Sequence, residues 1–240
     1  MPKKTISTIA FDADDTLWRN EDLFKHSQQH FVAMLERYHS KDYILEQLNT
    51  VQVRNLANFG YGIKGFTLSM IETAIELTEG RISGYEIHQI ITLAKEMVAS
   101  PIEVLPGIEE LLQELQGKCQ LMVITKGDLL DQESKVARSG LSHYFDWYEV
   151  VSNKDVQTYS KLFRRLQLQP NELLMIGNSM KSDILPVLDV GAHVLHVPYH
   201  TTWAHETVSE EDLEKYEAIP TVSSSEDIAA WLEKHVLLNS

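Results

Sequence analysis

The spacing of apolar positions changes twice along this chain. A short run from Ile6 to Phe11, with β-branched Ile6, Thr8 and Ile9, predicts a buried strand. From about Asn20 to Ser100 the apolar residues recur at three and four, as in Phe31, Met34, Leu35 and Tyr38 or Ile71, Ile75 and Leu77. That period predicts helix after helix, with no convincing strand between them. Beyond Pro101 the two periods alternate: a helix near Ile108 to Leu115, a strand Gln120 to Ile124, then a helix ending at Gly140. A strand Tyr148 to Val151, a helix from about Thr158 to Leu166, a strand Leu173 to Ile176, a helix Ser182 to Asp189 and a strand His193 to Val197 follow. A last helix near Asp227 to Leu237 is expected to pack on the core. Alternation of this kind specifies an α/β fold with a doubly wound parallel sheet. The expected division is a core of residues 1–19 and 101–240 with an all-helical insertion over residues 20–100.

Composition narrows the classes without naming one. The chain has 240 residues, enough for a large core plus a smaller insert, and 43% of them are hydrophobic. No apolar stretch approaches the roughly 20 residues that span a bilayer, and Asp12 arrives too early for a secretory signal, so a cytoplasmic location is expected. Cys119 has no cysteine to pair with and no neighbour at metal-ligand spacing, which predicts a reduced core residue. With 21 basic against 35 acidic residues the net charge is −14, and no Lys/Arg run offers a stripe to a nucleic acid. A membrane partner is not expected either, and oligomeric state is not legible. A small anionic substrate requires cations gathered locally.

The ends of the predicted strands carry the candidate chemistry, because open parallel sheets bind ligands there. Asp12 and Asp14 follow the first strand, with Thr16 close behind, and period-two geometry points both acids the same way. Two acids packed against an apolar strand call for a cation or a shared proton. After the next strand come Thr125, Lys126, Gly127 and Asp128: a hydroxyl, a cation, a flexible residue and a helix cap beside amides suited to an oxyanion. Lys154 follows the strand ending at Val151. The loop Gly177-Asn178-Ser179-Met180-Lys181-Ser182-Asp183 follows the strand ending at Ile176.

Taken together, Asp12-Ala13-Asp14-Asp15-Thr16, Thr125, Lys154 and Asn178 to Asp183 resemble the four ordered motifs of the haloacid dehalogenase superfamily. The likeness covers about two thirds of the chain, and the helical insertion resembles that superfamily's cap domain. The resemblance implies a Rossmann-like core, with Asp12 as nucleophile and Asp14 as general acid/base. It implies Thr125 and Lys154 as phosphate-binding residues, joined here by Lys126. It also implies Mg²⁺ held by Asp12, the Asp14 main-chain carbonyl and Asp183. The expected activity is hydrolysis of a small phosphorylated metabolite through an aspartyl-phosphate. A sugar phosphomutase shares both acids and is the nearer alternative. A 2-haloacid dehalogenase, which displaces halide without a proton and generally lacks an acid matching Asp14, is more distant, as is a non-catalytic binding protein.

Two positions depart from that pattern. Asp15 stands where glycine is common, and a turn role suits it because Asp tolerates tight turns. Asn178 stands where Asp is frequent, so its amide oxygen can order a metal-bound water at the edge of the site rather than act as an assured ligand. Lys161 competes with Lys154 for the phosphate but falls inside the predicted helix. His193, His196, His200 and His205 lack a zinc spacing and read as packing residues. In the insertion, Arg54 and the glycine-rich segment from Phe59 to Phe66 form either a mobile substrate-touching loop or a plain connector.

Overall fold

The computed structural model describes residues 3–238. Strand β1 (Lys4–Ile6) and strand β2 (Thr8–Phe11) replace the single predicted run. The break falls at Ser7, whose amide donates to the Glu172 carbonyl and whose carbonyl accepts from Gln120. Helices α1 (Glu21–Leu35), α2 (Lys41–Phe59), α3 (Ile63–Leu77) and α4 (Gly84–Ala99) follow. After them come α5 (Ile108–Leu115), β3 (Gln120–Lys126), α6 (Leu129–Ser139), β4 (Trp147–Val151), α7 (Val156–Leu166) and β5 (Leu173–Gly177). The chain continues through α8 (Leu185–Asp189), β6 (His193–His196), α9 (Glu210–Leu213), α10 (Ile228–His235) and β7 (Val236–Leu238). The last helix is therefore shorter than its periodicity predicted, and its final residues pair in parallel with β1.

Five parallel strands form the main sheet in the order β4-β3-β2-β5-β6. Alternate residues divide between its faces, as a strand period of two demands. Ile9, Phe11, Leu121, Val123, Leu174 and Ile176 join α5 and α10 residues such as Leu112 and Ile228 in one core. Ala10, Met122, Ile124, Leu173 and Met175 pack with Tyr159, Phe163 and Val187 of α7 and α8 in the other. Both faces are covered, which explains why the strand sequences are continuously apolar rather than alternating. Cys119 is a free thiol at the edge of the first of these cores.

The backbone divides into two units. One comprises the chain up to Arg19, Ile102–Lys126 and everything from Gln132 onward; the other is Asn20–Pro101 together with Gly127–Asp131. The second has its own core of α1 to α4 side chains, including Phe31, Leu48, Phe66, Met70 and Ile90. The glycine-rich stretch within it is shorter as a loop than expected. Ile63 already begins α3, and Phe66 is buried 5.0 Å from the Phe24 ring. Gly60 and Gly62 turn at positive φ, whereas Gly65 is required by crowding: a Cβ there would meet the Gly60 carbonyl at 2.7 Å. Arg54 is engaged within the unit by Glu72 and Glu76, each at 2.8 Å. Among the described residues no helix is long and apolar enough to cross a membrane.

Candidate active site

The carboxyl ends of β2, β3, β4 and β5 bring the predicted charges together. The Asp12 amide, one residue past β2, donates to the Ile176 carbonyl of β5, which fixes its backbone against the sheet. Its Oδ1 accepts from Lys154 Nζ at 2.5 Å, and the same ammonium donates to Asp183 Oδ1 at 2.6 Å. All three side chains are almost fully buried. The second Asp12 oxygen accepts from Thr16 Oγ1 at 3.1 Å, and that hydroxyl also lies 3.3 Å from Asn178 Oδ1. The second Asp183 oxygen accepts from the Ser179 amide at 2.9 Å. Asp183 can sit this close only beside glycine, since a Cβ on Gly177 would stand 2.5 Å from three of its atoms.

Burial and the neighbouring Asp183 charge raise the Asp12 carboxyl to about 7, against the pull of Lys154. Burial would lower the Lys154 ammonium, but Asp12 and Asp183 outweigh it and the pKa rises. Two buried carboxylates thus share one lysine, leaving an acid pair that a further cation would relieve. The donor set is all oxygen, as a hard divalent ion prefers. Among the described residues no three His, Cys, Asp or Glu side chains gather as metal ligands. A cation here would therefore rely on two carboxylates completed by main-chain carbonyl, water or substrate oxygens.

Asp14 faces different company. Trp18 Nε1 donates to its Oδ1 at 2.8 Å, Gln132 Nε2 to its Oδ2 at 2.8 Å, and Lys135 Nζ reaches both oxygens at 3.0 and 3.1 Å. Sequence reasoning missed these three donors. Gln132 and Lys135 lie three residues apart on one face of α6, but nothing in their neighbourhood distinguishes a buried lysine from an ordinary surface one. Asp15 takes φ 65° with its amide on the Trp18 carbonyl, the tight turn expected where glycine is common.

Thr125 and Lys126 are the last two residues of β3, not a loop after it. Thr125 is buried at the strand end, and Lys126 donates to Ser182 Oγ at 2.8 Å and Glu206 Oε1 at 2.5 Å. Asp128 caps α6, its Oδ1 accepting from the Asp131 amide at 3.1 Å. The helix predicted from Ser182 begins earlier, as a π-helical turn over Met180–Ile184 that carries Asp183. Lys161 is exposed on α7. The histidines do not converge: His193 meets Lys4 at 3.0 Å, His196 donates to the Asn178 carbonyl at 3.1 Å, and His205 lies against the Trp203 ring.

A family profile of haloacid dehalogenase-like hydrolases matches residues 6–191, and the chain belongs to that family. It is a hydrolase with the α/β core of that group. A solved haloacid dehalogenase-like family hydrolase of Xanthomonas campestris is 37% identical, with 96% of this chain and 92% of that one covered at a TM-score of 0.84. The pyrimidine 5'-nucleotidase YjjG of Escherichia coli (strain K12) is 24% identical over 198 residues, 76% of this chain and 82% of its own. The N-acylneuraminate-9-phosphatase of Rattus norvegicus is 23% identical over 197 residues, covering 78% and 79%.

Proposed function

We propose that this protein is a Mg²⁺-dependent phosphomonoester hydrolase of the cytoplasm, acting on a small phosphorylated metabolite through an aspartyl-phosphate on Asp12. The observation that carries the reading is the Lys154 ammonium bridging Asp12 and Asp183 in a buried pocket of charge at the sheet end. The phosphatase and nucleotidase activities named for the relatives support it. In this reading the core unit is the catalytic domain and the helical unit its cap.

Asp12, Asp183 and the main-chain carbonyl of Asp14 would hold Mg²⁺, which supplies charge neutralisation for the phosphoryl oxygens. An Asp12 oxygen attacks phosphorus while the bond to the leaving oxygen breaks, and Lys154 offsets the anionic charge as the two approach. Thr125 and Lys126 stand at the neighbouring strand end to receive phosphoryl oxygens. Asp14 gives its proton to the departing alkoxide. It then takes one from the water that attacks the aspartyl-phosphate, which releases phosphate and restores Asp12. Lys135 Nζ, 3.0 Å from Asp14 Oδ1, holds that side chain in place. Asp14 has no task in halide displacement, which places a dehalogenase further off.

The test is a panel of phosphomonoesters assayed with Mg²⁺, with a chelator, and after Mg²⁺ is restored. The expected result is phosphate release that chelation abolishes and Mg²⁺ recovers. Isomerised sugar phosphate without free phosphate would replace the reading with a phosphomutase. No turnover across the panel, or full activity under chelation, would overturn it.

A further inference from the structure

Glu206 lies 23 residues beyond Asp183 in sequence, in a short 3₁₀ turn (Ala204–Glu206), yet its buried carboxylate returns to the loop that presents Asp183. Oε1 accepts from Lys126 at 2.5 Å, and Oε2 accepts from Ser179 Oγ at 2.7 Å and Ser182 Oγ at 2.6 Å. Both serines belong to the Asp183 turn. The Ser179 amide holds Asp183 Oδ2, the Ser179 carbonyl accepts from the Asp183 amide at 2.8 Å, and Ser179 Oγ accepts from the Ser182 amide at 3.1 Å. One carboxylate therefore fixes the two residues on either side of the turn's hydrogen-bonded ring.

Its second effect is electrostatic. Lys126 is half-sunk beside the site, close enough for the Lys154 and Asp183 charges to act on its ammonium, and burial lowers its pKa. Burial alone would raise the Glu206 carboxyl; Lys126 and the serine hydroxyls instead hold it at about 2. The two groups form a salt bridge of 2.5 Å. Without Glu206 the Lys126 ammonium would lose the carboxylate that offsets it at 2.5 Å beside the oxygen cluster.

We propose that Glu206 is a positioning residue for the cation site, bracing the Asp183 turn through Ser179 and Ser182 and cancelling the Lys126 charge that would otherwise repel a divalent ion. This rests on the phosphohydrolase reading above and extends it to a residue outside the strand-end motifs. The charge argument gives a signature that a scaffold role lacks. Losing that offset makes the Lys126 charge oppose cations and attract anions more strongly, so loss of the Glu206 charge moves the two affinities apart.

The experiment compares the parent with Glu206→Gln, which keeps the side-chain shape and its hydrogen bonding to serine. Mn²⁺ binding is read by calorimetry and inorganic phosphate binding at saturating Mg²⁺. The expected result is Mn²⁺ affinity reduced about fivefold or more, with phosphate bound no more weakly than by the parent. Unchanged Mn²⁺ affinity in folded Glu206→Gln overturns the proposal, and so does parallel weakening of both ligands, which would mean loop damage alone. Should Glu206→Gln fail to fold, Glu206→Gln with Lys126→Met removes both charges. That double variant is expected to bind Mn²⁺ within about twofold of the parent, and weak binding by it overturns the charge argument. A parent that binds no Mn²⁺ at all refutes the metal site of the proposed function itself, which the comparison between variants keeps distinct.

Discussion

In the helical segment Asn20–Pro101, charge stays at the surface. Arg54 with Glu72 and Glu76, Arg37 with Glu86, and Lys64 with Asp128 all pair with at least one partner well exposed. Within Asn20–Pro101 the buried polar side chains are Ser27, Asn55, Ser69, Thr73 and Thr78, all neutral, and the hydroxyls of Ser69, Thr73 and Thr78 donate to helix carbonyls four residues back. The sheet unit does the opposite. Asp12, Asp183, Lys154, Lys135 and Glu206 are all buried, at the carboxyl ends of the strands or on elements that reach them. Burying an ion costs several kcal/mol even when it is paired, so a fold seeking only stability would not collect five of them. Charge that folding pays to desolvate is what sets the candidate site apart from the helical segment, where charge is left in water.

The largest effect expected from disturbing this contrast is on chemistry. Asp12→Asn keeps the shape of the side chain but removes the attacking charge, and turnover should fall by at least about three orders of magnitude with the circular-dichroism spectrum unchanged. Near-parental rates in the folded variant would exclude a covalent role for Asp12. Next comes the metal. Asp183→Ala should raise the Mg²⁺ concentration for half-activity by about tenfold or more, whereas Asn178→Ala, which removes a neutral group bonded to Thr16, should raise it far less. Equal shifts in the two titrations would reassign the site.

Stability should separate the two regions as clearly as activity does. Lys154→Met removes the cation shared by two buried carboxylates, and losing one partner of such a cluster costs about 3–5 kcal/mol. The thermal midpoint without metal should drop accordingly, and Mg²⁺ should recover part of the loss by supplying the missing charge. A variant as stable as the parent in chelator would mean that the lysine is not needed to hold the two acids together. Glu206 gives a smaller, pH-dependent term. Its carboxyl lies near 2 when folded, below the ordinary 4.5, so the stabilisation it provides is complete above about pH 4.5 and fades as pH falls towards 2. Its full size is about 3 kcal/mol at one pKa unit per 1.36 kcal/mol. Chemical denaturation of the parent and Glu206→Gln should show curves that converge on acidification; parallel curves would remove Glu206 from the acid response.

Legibility in the sequence follows the same divide between local and long-range causes. The sheet was readable because each strand is a continuous apolar run, and Asp12, Lys154 and Asp183 were findable because each follows a strand that delivers it to the same edge. What the strand pattern could not carry was anything decided by partners far along the chain. Ser7 breaks the first strand through Glu172 and Gln120, and Val236–Leu238 turns extended because β1 offers it an edge. Asp14 was readable as an acid, but its holders Gln132 and Lys135 sit more than a hundred residues away on α6. Glu206 had no pattern at all, since its three donors come from β3 and the Asp183 turn. In the helical unit, Lys64 and Phe66 read as loop residues because three glycines in six suggest mobility, yet Gly65 is there to let a helix approach the Gly60 carbonyl.

The smallest effect should come from the best-looking ion pairs. Arg54 bridges Glu72 and Glu76 at 2.8 Å each, a shorter geometry than the Lys135–Asp14 contact, yet its side chain is 51% exposed. In water the attraction is screened, and holding three long side chains in one arrangement costs rotamer entropy that offsets the gain. Glu72 also keeps Asn55 as a partner at 2.6 Å, so removing the guanidinium leaves no buried charge behind. Arg54→Met should therefore leave the thermal midpoint within about one or two degrees of the parent, with little dependence on salt. Phosphate release should be unchanged as well, if Arg54 only pairs within its helices. A large drop in stability would show that this surface network is coupled to the helical core. A drop in turnover with stability intact would instead give Arg54 the substrate contact that its sequence position left open.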